Sequence, residues 1–427
     1  MDVKIRSKSI LKLPLLLFIT AIALGSSKYS DALAETDAVA MAGSTSTSFW
    51  EDSQTAFHFR SYAMDRDRDV NNDSQTWAAG GILRFLSGKW DDRFQVSAAM
   101  YTSQGLLTPD DKPGTQLLKP IQKGYAVLGE AWALLKISAN VEFKGGRQLF
   151  DLPFLNKNYA RQLPDTHEGY ILNVKDVYNT DWLLGYVPRI KKRNSDDFVR
   201  MSEQAGVPGG DEGTSVIHMK HQWSKDTNLV ISNLNTFNVF NNSYAEFKTV
   251  FYPLEKWPIK FSIQGAYQQA TGDKLLGDIT TNSLGFLMST NYSGIRWTLA
   301  GTTTAENSKL LRPFGVSPSY LSLIVQDFDR PGEDALMLGM AYDFSKTGIK
   351  NLTSYAKYAR SRTPGSGAFT APDQDELNIT FDYKFSRNFL EGLSLRLRYA
   401  NVNQRGAGAI DLRDYHVILN YSFPIFN

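Results

Sequence analysis

A two-residue hydrophobic rhythm runs through most of this 427-residue chain and limits its fold more than any other feature. Successive side chains of a strand point to opposite faces, so a strand with one dry and one wet face reads apolar–polar–apolar. Leu377, Ile379, Phe381, Tyr383 and Phe385 share one parity, and Asn378, Thr380, Asp382 and Lys384 share the other. Leu395, Leu397 and Tyr399 alternate with Arg396 and Arg398, and Tyr415, Val417, Leu419, Tyr421 and Phe423 alternate with His416, Ile418, Asn420 and Ser422. Upstream, Ile259, Phe261, Ile263, Gly265 and Tyr267 oppose Lys260, Ser262, Gln264 and Gln268. Trp77, Ala79, Gly81, Leu83 and Phe85 oppose a face carrying Arg84. Segments 215–223 and 228–234 accept either parity.

The rhythm predicts strands near 54–64, 75–86, 93–101, 125–137, 140–148, 167–175, 181–190, 214–223, 227–238, 243–252, 258–269, 282–292, 294–304, 335–344, 351–360, 375–385, 392–401 and 413–423. Several have about 9–11 residues, the span of a tilted transmembrane strand. An even number suits a closed antiparallel barrel, in which no strand edge faces lipid. The expected class is therefore all-β, a single-chain transmembrane barrel of about eighteen strands. Short turns at 88–92, 138–139, 224–226 and 293–294 suit the periplasmic end, and longer connections at 106–123, 148–166, 190–213, 305–333 and 361–374 suit the outside. No fixed-period repeat suggests a propeller or solenoid.

The N-terminus carries an address. Lys4, Arg6, Lys8 and Lys12 precede an apolar stretch from Leu13 to Leu24, and Ser30-Asp31-Ala32-Leu33-Ala34 offers a small-residue cleavage site. This is the grammar of a secretory signal, with a core shorter than the ~20 residues of a membrane anchor. Residues 1–34 are read as a signal peptide and 35–427 as the barrel. The remaining chain, about 390 residues, exceeds the usual single core of ~250–300. A mean hydropathy of -0.30 fits an alternating lipid–lumen pattern as well as a soluble protein. Aromatic residues make up 12% of the chain, suiting strands and membrane interfaces. Cysteine is absent, which removes disulfides and thiolate metal or redox chemistry, and a net charge of +2 gives no sign of a nucleic-acid partner.

Phe143-Lys144-Gly145-Gly146-Arg147-Gln148, then Leu152-Pro153, Arg161-Gln162-Leu163-Pro164 and Thr166-His167-Glu168-Gly169, resembles the strand and third loop of OprD-family outer-membrane porins. Tyr342-Asp343-Phe344-Ser345-Lys346 with Gly348 and Leu352 is similar to a hairpin of that family, and Gly392-Leu393-Ser394-Leu395-Arg396-Leu397-Arg398 to its penultimate strand. The resemblance covers most of the chain beyond the signal and rests on the order of the motifs. It implies an eighteen-stranded channel of the bacterial outer membrane for small polar solutes, often carboxylates or basic amino acids. It also implies inward-folding loops near 148–166 and 305–333 and an arginine ladder along the wall. Two departures stand out: the chain ends Phe426-Asn427 rather than at an aromatic residue, and many basic positions hold lysine.

If the apolar parity faces lipid, Arg60, Arg84, Lys260, Arg296, Lys384, Arg396 and Arg398 face the lumen, because a cation on the lipid face costs roughly 2–4 kcal/mol near the midplane. Basic side chains along a pore attract anions, and arginine matches a carboxylate bidentately. The plainer reading makes them solvated side chains paired with Glu130, Asp343 and Asp382. Within the constriction loop, Tyr159, Arg161, Asp165 and His167 are the polar residues expected to meet solute. The run Arg189, Lys191, Lys192 and Arg193 reads as a solvated loop, and Asp67, Asp69, Asn71 and Asp73 as a polar turn without the glycine and glutamate of a calcium loop.

Catalytic and metal patterns are missing. The five histidines are scattered, and His218 and His221 fall on opposite strand faces. HExxH, P-loop and GxSxG motifs are absent. No cofactor, no metal and no catalytic residue is expected. The leading expectation is a porin for passive diffusion of small hydrophilic solutes, favouring carboxylate-bearing or amino-acid-like ones. The alternative is an outer-membrane barrel enzyme such as a lipid hydrolase, for which His416 with Ser394 or Thr380 is the only imaginable pair. Expected partners are outer-membrane lipids, the solutes and the outer-membrane assembly machinery, with the barrel alone or as a homotrimer.

Overall fold

The computed structural model describes residues 48–426, apart from 71, 255, 256 and 387–389. The proposed signal peptide, Asn71 and Asn427 lie outside the described residues. Eighteen long antiparallel strands follow one another along the chain: β1 Gln54–Arg68, β2 Ser74–Leu86, β3 Phe94–Leu107, β4 Tyr125–Lys136, β5 Val141–Gln148, β6 Thr166–Val177, β7 Thr180–Lys191, β8 Thr214–Ser224 and β9 Thr227–Thr236 form the first half. The second half is β10 Phe240–Leu254, β11 Trp257–Ala270, β12 Thr280–Tyr292, β13 Ile295–Thr304, β14 Asp334–Asp343, β15 Leu352–Arg362, β16 Asp373–Lys384, β17 Leu393–Arg405 and β18 Leu412–Phe426. Each pairs with its sequence neighbour, and β1 pairs with β18 in a register such as Phe57 opposite Phe423 and Tyr62 opposite Ile418. That last pairing closes the sheet, so neither terminal strand leaves a row of backbone donors facing lipid.

Parity sorts the side chains as the rhythm requires. Ile231, Ile263, Leu299, Leu338 and Phe381 are exposed on the outer surface, while Ser232, Gln264, Ala300, Met337 and Thr380 beside them are buried inside. Aromatic pairs ring both ends of the outer face. Trp223–Phe247 and Trp257–Tyr292 stand at the short-turn end, and Tyr186–Phe237 and Tyr399–Tyr415 at the other. Rings with an apolar body and a polar tip settle at headgroup depth.

The long connections are at one end, but the rhythm of long and short is not strict: only a few residues separate Arg68 from Ser74 and Thr236 from Phe240 at the long-loop end. Two long loops fold into the barrel. Residues 149–165 contain a small hairpin pairing Asp151–Leu152 with Leu155–Asn156, and 305–333 run beside it. Their apolar side chains Phe150, Phe154, Leu155, Leu310 and Phe314 form one core with the lumen-facing Val187, Val216, Leu234 and Tyr244. The core of this molecule therefore lies inside the barrel; its largest cluster sits on this side, and smaller ones pack loop residues against other walls, such as Leu117 and Leu118 on Tyr62, Met64 and Ile418. That explains why 215–223 and 228–234 had no clear parity: Val216 and Leu234 are apolar inward as Ile217 and Ile231 are apolar outward.

Candidate functional site

Where the two inward loops stop short of the opposite wall, a cavity of about 1000 Å³ remains. Strand alternation supplies its wall: His58 and Arg60 from β1, Lys220 from β8, Glu246 and Lys248 from β10, Asp382 and Lys384 from β16, Arg396 from β17, Asn420 and Ser422 from β18. The loops supply its other side through Asp151, Asn156, Lys157 and Tyr159, with Val316, Ser317 and Pro318. Among the described residues six cations and three carboxylates line this space. A second cavity of about 670 Å³ adjoins it, sharing His58, Asp151, Lys157, Tyr159 and Ser422 and adding Arg84, Glu130 and Lys144.

Tyr159 separates and borders both spaces. Its ring lies over the Arg60 guanidinium, 3.8 Å from the ring centroid. Arg60 is fixed on its other sides, donating through Nε to Asn420 Oδ1 at 2.7 Å and through Nη1 to the Arg161 carbonyl at 2.7 Å. A planar cation held between a π face and two acceptors loses little further entropy when an anion approaches. Arg396 forms a fork on Asp382, at 2.5 Å and 3.1 Å, so its charge is already answered by a carboxylate. Lys248 sits 2.9 Å from Glu246. The Lys220 ammonium has no ion pair or hydrogen bond among the described residues.

The remaining expected lumen cations fall on inward positions but apart from the main cavity. Arg84 lines the second cavity and bridges Glu130 at 2.5 Å. Lys260 and Arg296 lie near the short-turn end and line neither space. Arg398 stands two residues beyond Arg396, outside both cavities, with its Nε buried and unsatisfied. Of the carboxylates expected opposite the cations, Asp343 instead accepts the Ser345 backbone N–H.

The constriction loop corrects the reading of its own residues. Of the four polar residues expected to meet solute, only Tyr159 borders the open space; Arg161, Asp165 and His167 are buried behind it. Arg161 donates through Nε to the Thr115 carbonyl at 3.0 Å, and His167 packs edge-on against Phe150. Asp165, fully buried, accepts from Lys192 Nζ at 2.7 Å and from the Arg193 backbone N–H at 2.5 Å. The run 189–193 is therefore no solvated loop. Lys191 is fully buried and donates to the Pro164 and Lys192 carbonyls, and Arg193 donates to Asn158 and Gln116. Burial, with Arg161 nearby, pushes the Arg193 pKa down to about 10, which leaves it charged at neutral pH. An inward loop needs its backbone acceptors and carboxylates answered, and this basic run answers them.

Asn156, which no sequence signal marked, welds the two loops. Its Nδ2 donates to the Val316 carbonyl at 3.1 Å, and its Oδ1 accepts from the Val316 N–H at 3.0 Å. Gly315 permits this approach, since a Cβ there would lie 2.5 Å from Asn156 Oδ1. The 305–333 loop is tied to the wall in the same manner: the Gln268 amide grips both backbone groups of Leu311, Tyr320 donates to Glu246 at 2.7 Å, and Glu376 accepts the N–H groups of Val325 and Gln326. Within the loop Arg312 bridges Asp327 and Asp329. Burial lowers Arg312, but the two carboxylates outweigh it and hold its pKa above the ordinary value; burial also raises Asp329 more than Arg312 lowers it.

His416 does not meet Ser394 or Thr380. It contacts the Tyr62 hydroxyl at 3.0 Å and Asp414 at 3.1 Å, in a buried cluster that Arg66 completes. No group of three or more acidic or histidine side chains suited to a metal occurs among the described residues.

No curated protein matches the chain by sequence. Solved structures do match in fold. Pseudomonas aeruginosa OccK9 (OpdG) aligns with a TM-score of 0.80 at 22% identity, covering 88% of this chain and all of that one. OpdK of the same organism, solved with vanillate, aligns at 0.80 and 21% over the same shares. OccK2 (OpdF), solved with glucuronate, aligns at 0.76 and 18%, again over 88% and 100%. The profile of the family described as outer membrane porin, OprD family, matches residues 47–425, and the chain belongs to that family.

Proposed function

We propose that this outer-membrane porin passes small carboxylate-bearing solutes, including amino-acid-like ones, by passive diffusion through the cavity beside Tyr159. The observation that carries the reading is the twofold excess of cations over carboxylates around the space that the two loops leave open. A solute carboxylate would be drawn to Lys220 and Lys384, which stand on opposite walls, and would meet Arg60 and Arg396 beyond them. Lys384, Arg60 and Arg396 already have partners, so a carboxylate exchanges with those partners rather than binding an isolated charge, and it can leave again. Conduction needs such shallow, repeated sites. The two related porins solved with vanillate and glucuronate, both carboxylates, support the same class of solute.

The leader read in residues 1–34 would direct export. A lipid hydrolase would instead need a Ser/His pair at the outer rim, and the His58–Ser422 contact of 2.5 Å lies in the lumen.

Planar bilayers under a salt gradient test the proposal. The barrel should favour chloride over potassium at low salt, and Lys220→Glu with Lys384→Glu should abolish or invert that preference. Liposome swelling should run faster for a carboxylate than for a neutral sugar of equal size. A double variant with unchanged reversal potential would remove the basic lumen from the mechanism.

A further inference from the structure

The outer face of β12 to β15 departs from a smooth lipid-facing wall. A groove of about 720 Å³ runs down it from the long-loop end, between Leu284, Leu299, Leu336, Leu338 and Tyr358. Gly301 and Phe286 line its floor, with the Phe286 ring lying against Gly301, where an added Cβ would come within 2.5 Å of it. Leu284 and Leu336 are more than half exposed along its sides. At its upper end Arg360 and Arg362 share the outward parity with Tyr358 and are exposed. Neither guanidinium has a hydrogen bond or ion pair among the described residues, although Asp334, which also lines the groove, stands opposite Arg362 in the strand register.

Two unanswered guanidiniums above an apolar trough are complementary to one kind of molecule, an amphiphile with a phosphorylated head and acyl tails. Spaced two residues apart, the arginines stand about 6.5–7 Å from each other along the strand. Each presents a planar fork that fits phosphate oxygens. They lie at the end of β15, where an outward cation costs roughly 0–1 kcal/mol rather than the midplane penalty. The long loops place this end on the cell exterior. We propose that this face binds one phosphate-bearing lipid of the outer leaflet, with its phosphate on Arg360 and Arg362 and an acyl chain in the groove over Gly301.

Native mass spectrometry of the intact barrel in detergent tests this with diphosphorylated lipid A, the same lipid dephosphorylated, and inorganic phosphate. The wild-type barrel should retain one diphosphorylated lipid. Arg360→Gln with Arg362→Gln should weaken retention about tenfold, the scale of one lost charge-assisted contact. Dephosphorylated lipid should bind wild type about as weakly as the phosphorylated lipid binds the double variant. Leu336→Trp, which fills the trough and leaves the arginines, should also release the lipid. Arg413→Gln, at an outward position on β18, should change nothing. Heat-modifiable electrophoretic mobility checks that each variant is folded. Equal retention of both lipids, full displacement by inorganic phosphate, or no effect of the double variant would each overturn the proposal. So would barrel–barrel species that disappear in the double variant, because the face would then join two copies.

Discussion

The wall from β6 to β10 and the wall from β16 through β18 to β1 are made of the same alternating strands, yet their inner faces differ. The first presents mainly Val187, Val216, Leu234 and Phe240, packed under the inward loops, and reaches the open space only through Lys220, Glu246 and Lys248 and their neighbours. The second presents Lys384, Arg396, Asn420, His58 and Arg60 to open space, and is packed only nearer the long-loop end, where Leu117 and Leu118 cover Tyr62, Met64 and Ile418. Lipid sets the same demand on the outer face of both. The inner face answers to what stands against it: where a loop folds in, burial favours apolar side chains, and where none does, water favours charge. A porin of this type is therefore half barrel and half conventional core, and its pore is the part the core leaves unfilled.

Removing the core should have the largest effect. Phe314 is buried and stacked on Phe240, with ring centroids 6.0 Å apart. Phe314→Ala should cost about 3–5 kcal/mol, the range for a buried phenylalanine. The loss falls on loop docking, because the strand ladder does not pass through this ring. The barrel should keep its heat-modifiable mobility while 305–333 becomes protease-sensitive and single-channel conductance rises. Unchanged conductance and protease resistance would mean that the loops are held by the polar clamps alone.

The same contrast accounts for what the sequence made legible. Strand positions could be read nearly throughout, because lipid enforces one parity without exception for Phe381, Leu397 or Ile263. The parity of β8 and β9 could not be read, because a packed inner face is as apolar as a lipid-facing one. The inward positions of Arg60, Lys384 and Arg396 followed from the rhythm alone. Lys220 and Lys248 sit on inward positions of β8 and β10 and would have been found had the register of β8 and β9 been known. The loops had no rhythm to read. Arg161, Asp165 and His167 looked like pore residues because they are polar, but a loop inside a barrel needs buried polar groups to answer its own backbone. Asn156 gave no signal because its role depends on Val316, 160 residues away.

A sharper cut is Asn156→Ala, which leaves the core intact and removes the amide weld to Val316 together with the longer contacts to Leu152 and Asn158 within the same loop. Two backbone groups of Val316 would lose their partner, at about 1–3 kcal/mol for each that water cannot reach. The pore faces this site, so water recovers part of that. The expected result is a loop pair that separates transiently: open-channel noise and brief higher-conductance events should increase, with ion selectivity unchanged. A shift in selectivity without added noise would assign Asn156 to the solute path and not to the weld.

The smallest effect belongs to the charged wall and tests whether its charges are counted or merely present. Asp382→Asn keeps the shape of the side chain and frees Arg396 from its carboxylate fork, leaving six cations against two carboxylates around the main cavity. The pair is mostly buried in the wall but borders the open cavity, where water reaches it, so its loss should cost on the order of 1 kcal/mol and leave the barrel folded. Anion preference should rise, by less than about twofold in permeability ratio at low salt, on the scale of that same small energy. The gain should vanish near 1 M salt, where charges are screened within about 3 Å. A fall in anion preference would mean that Asp382 holds Arg396 in the position where it meets solute; the wall would then work through placed arginines, and the excess of charge that separates it from the packed wall would be incidental to conduction.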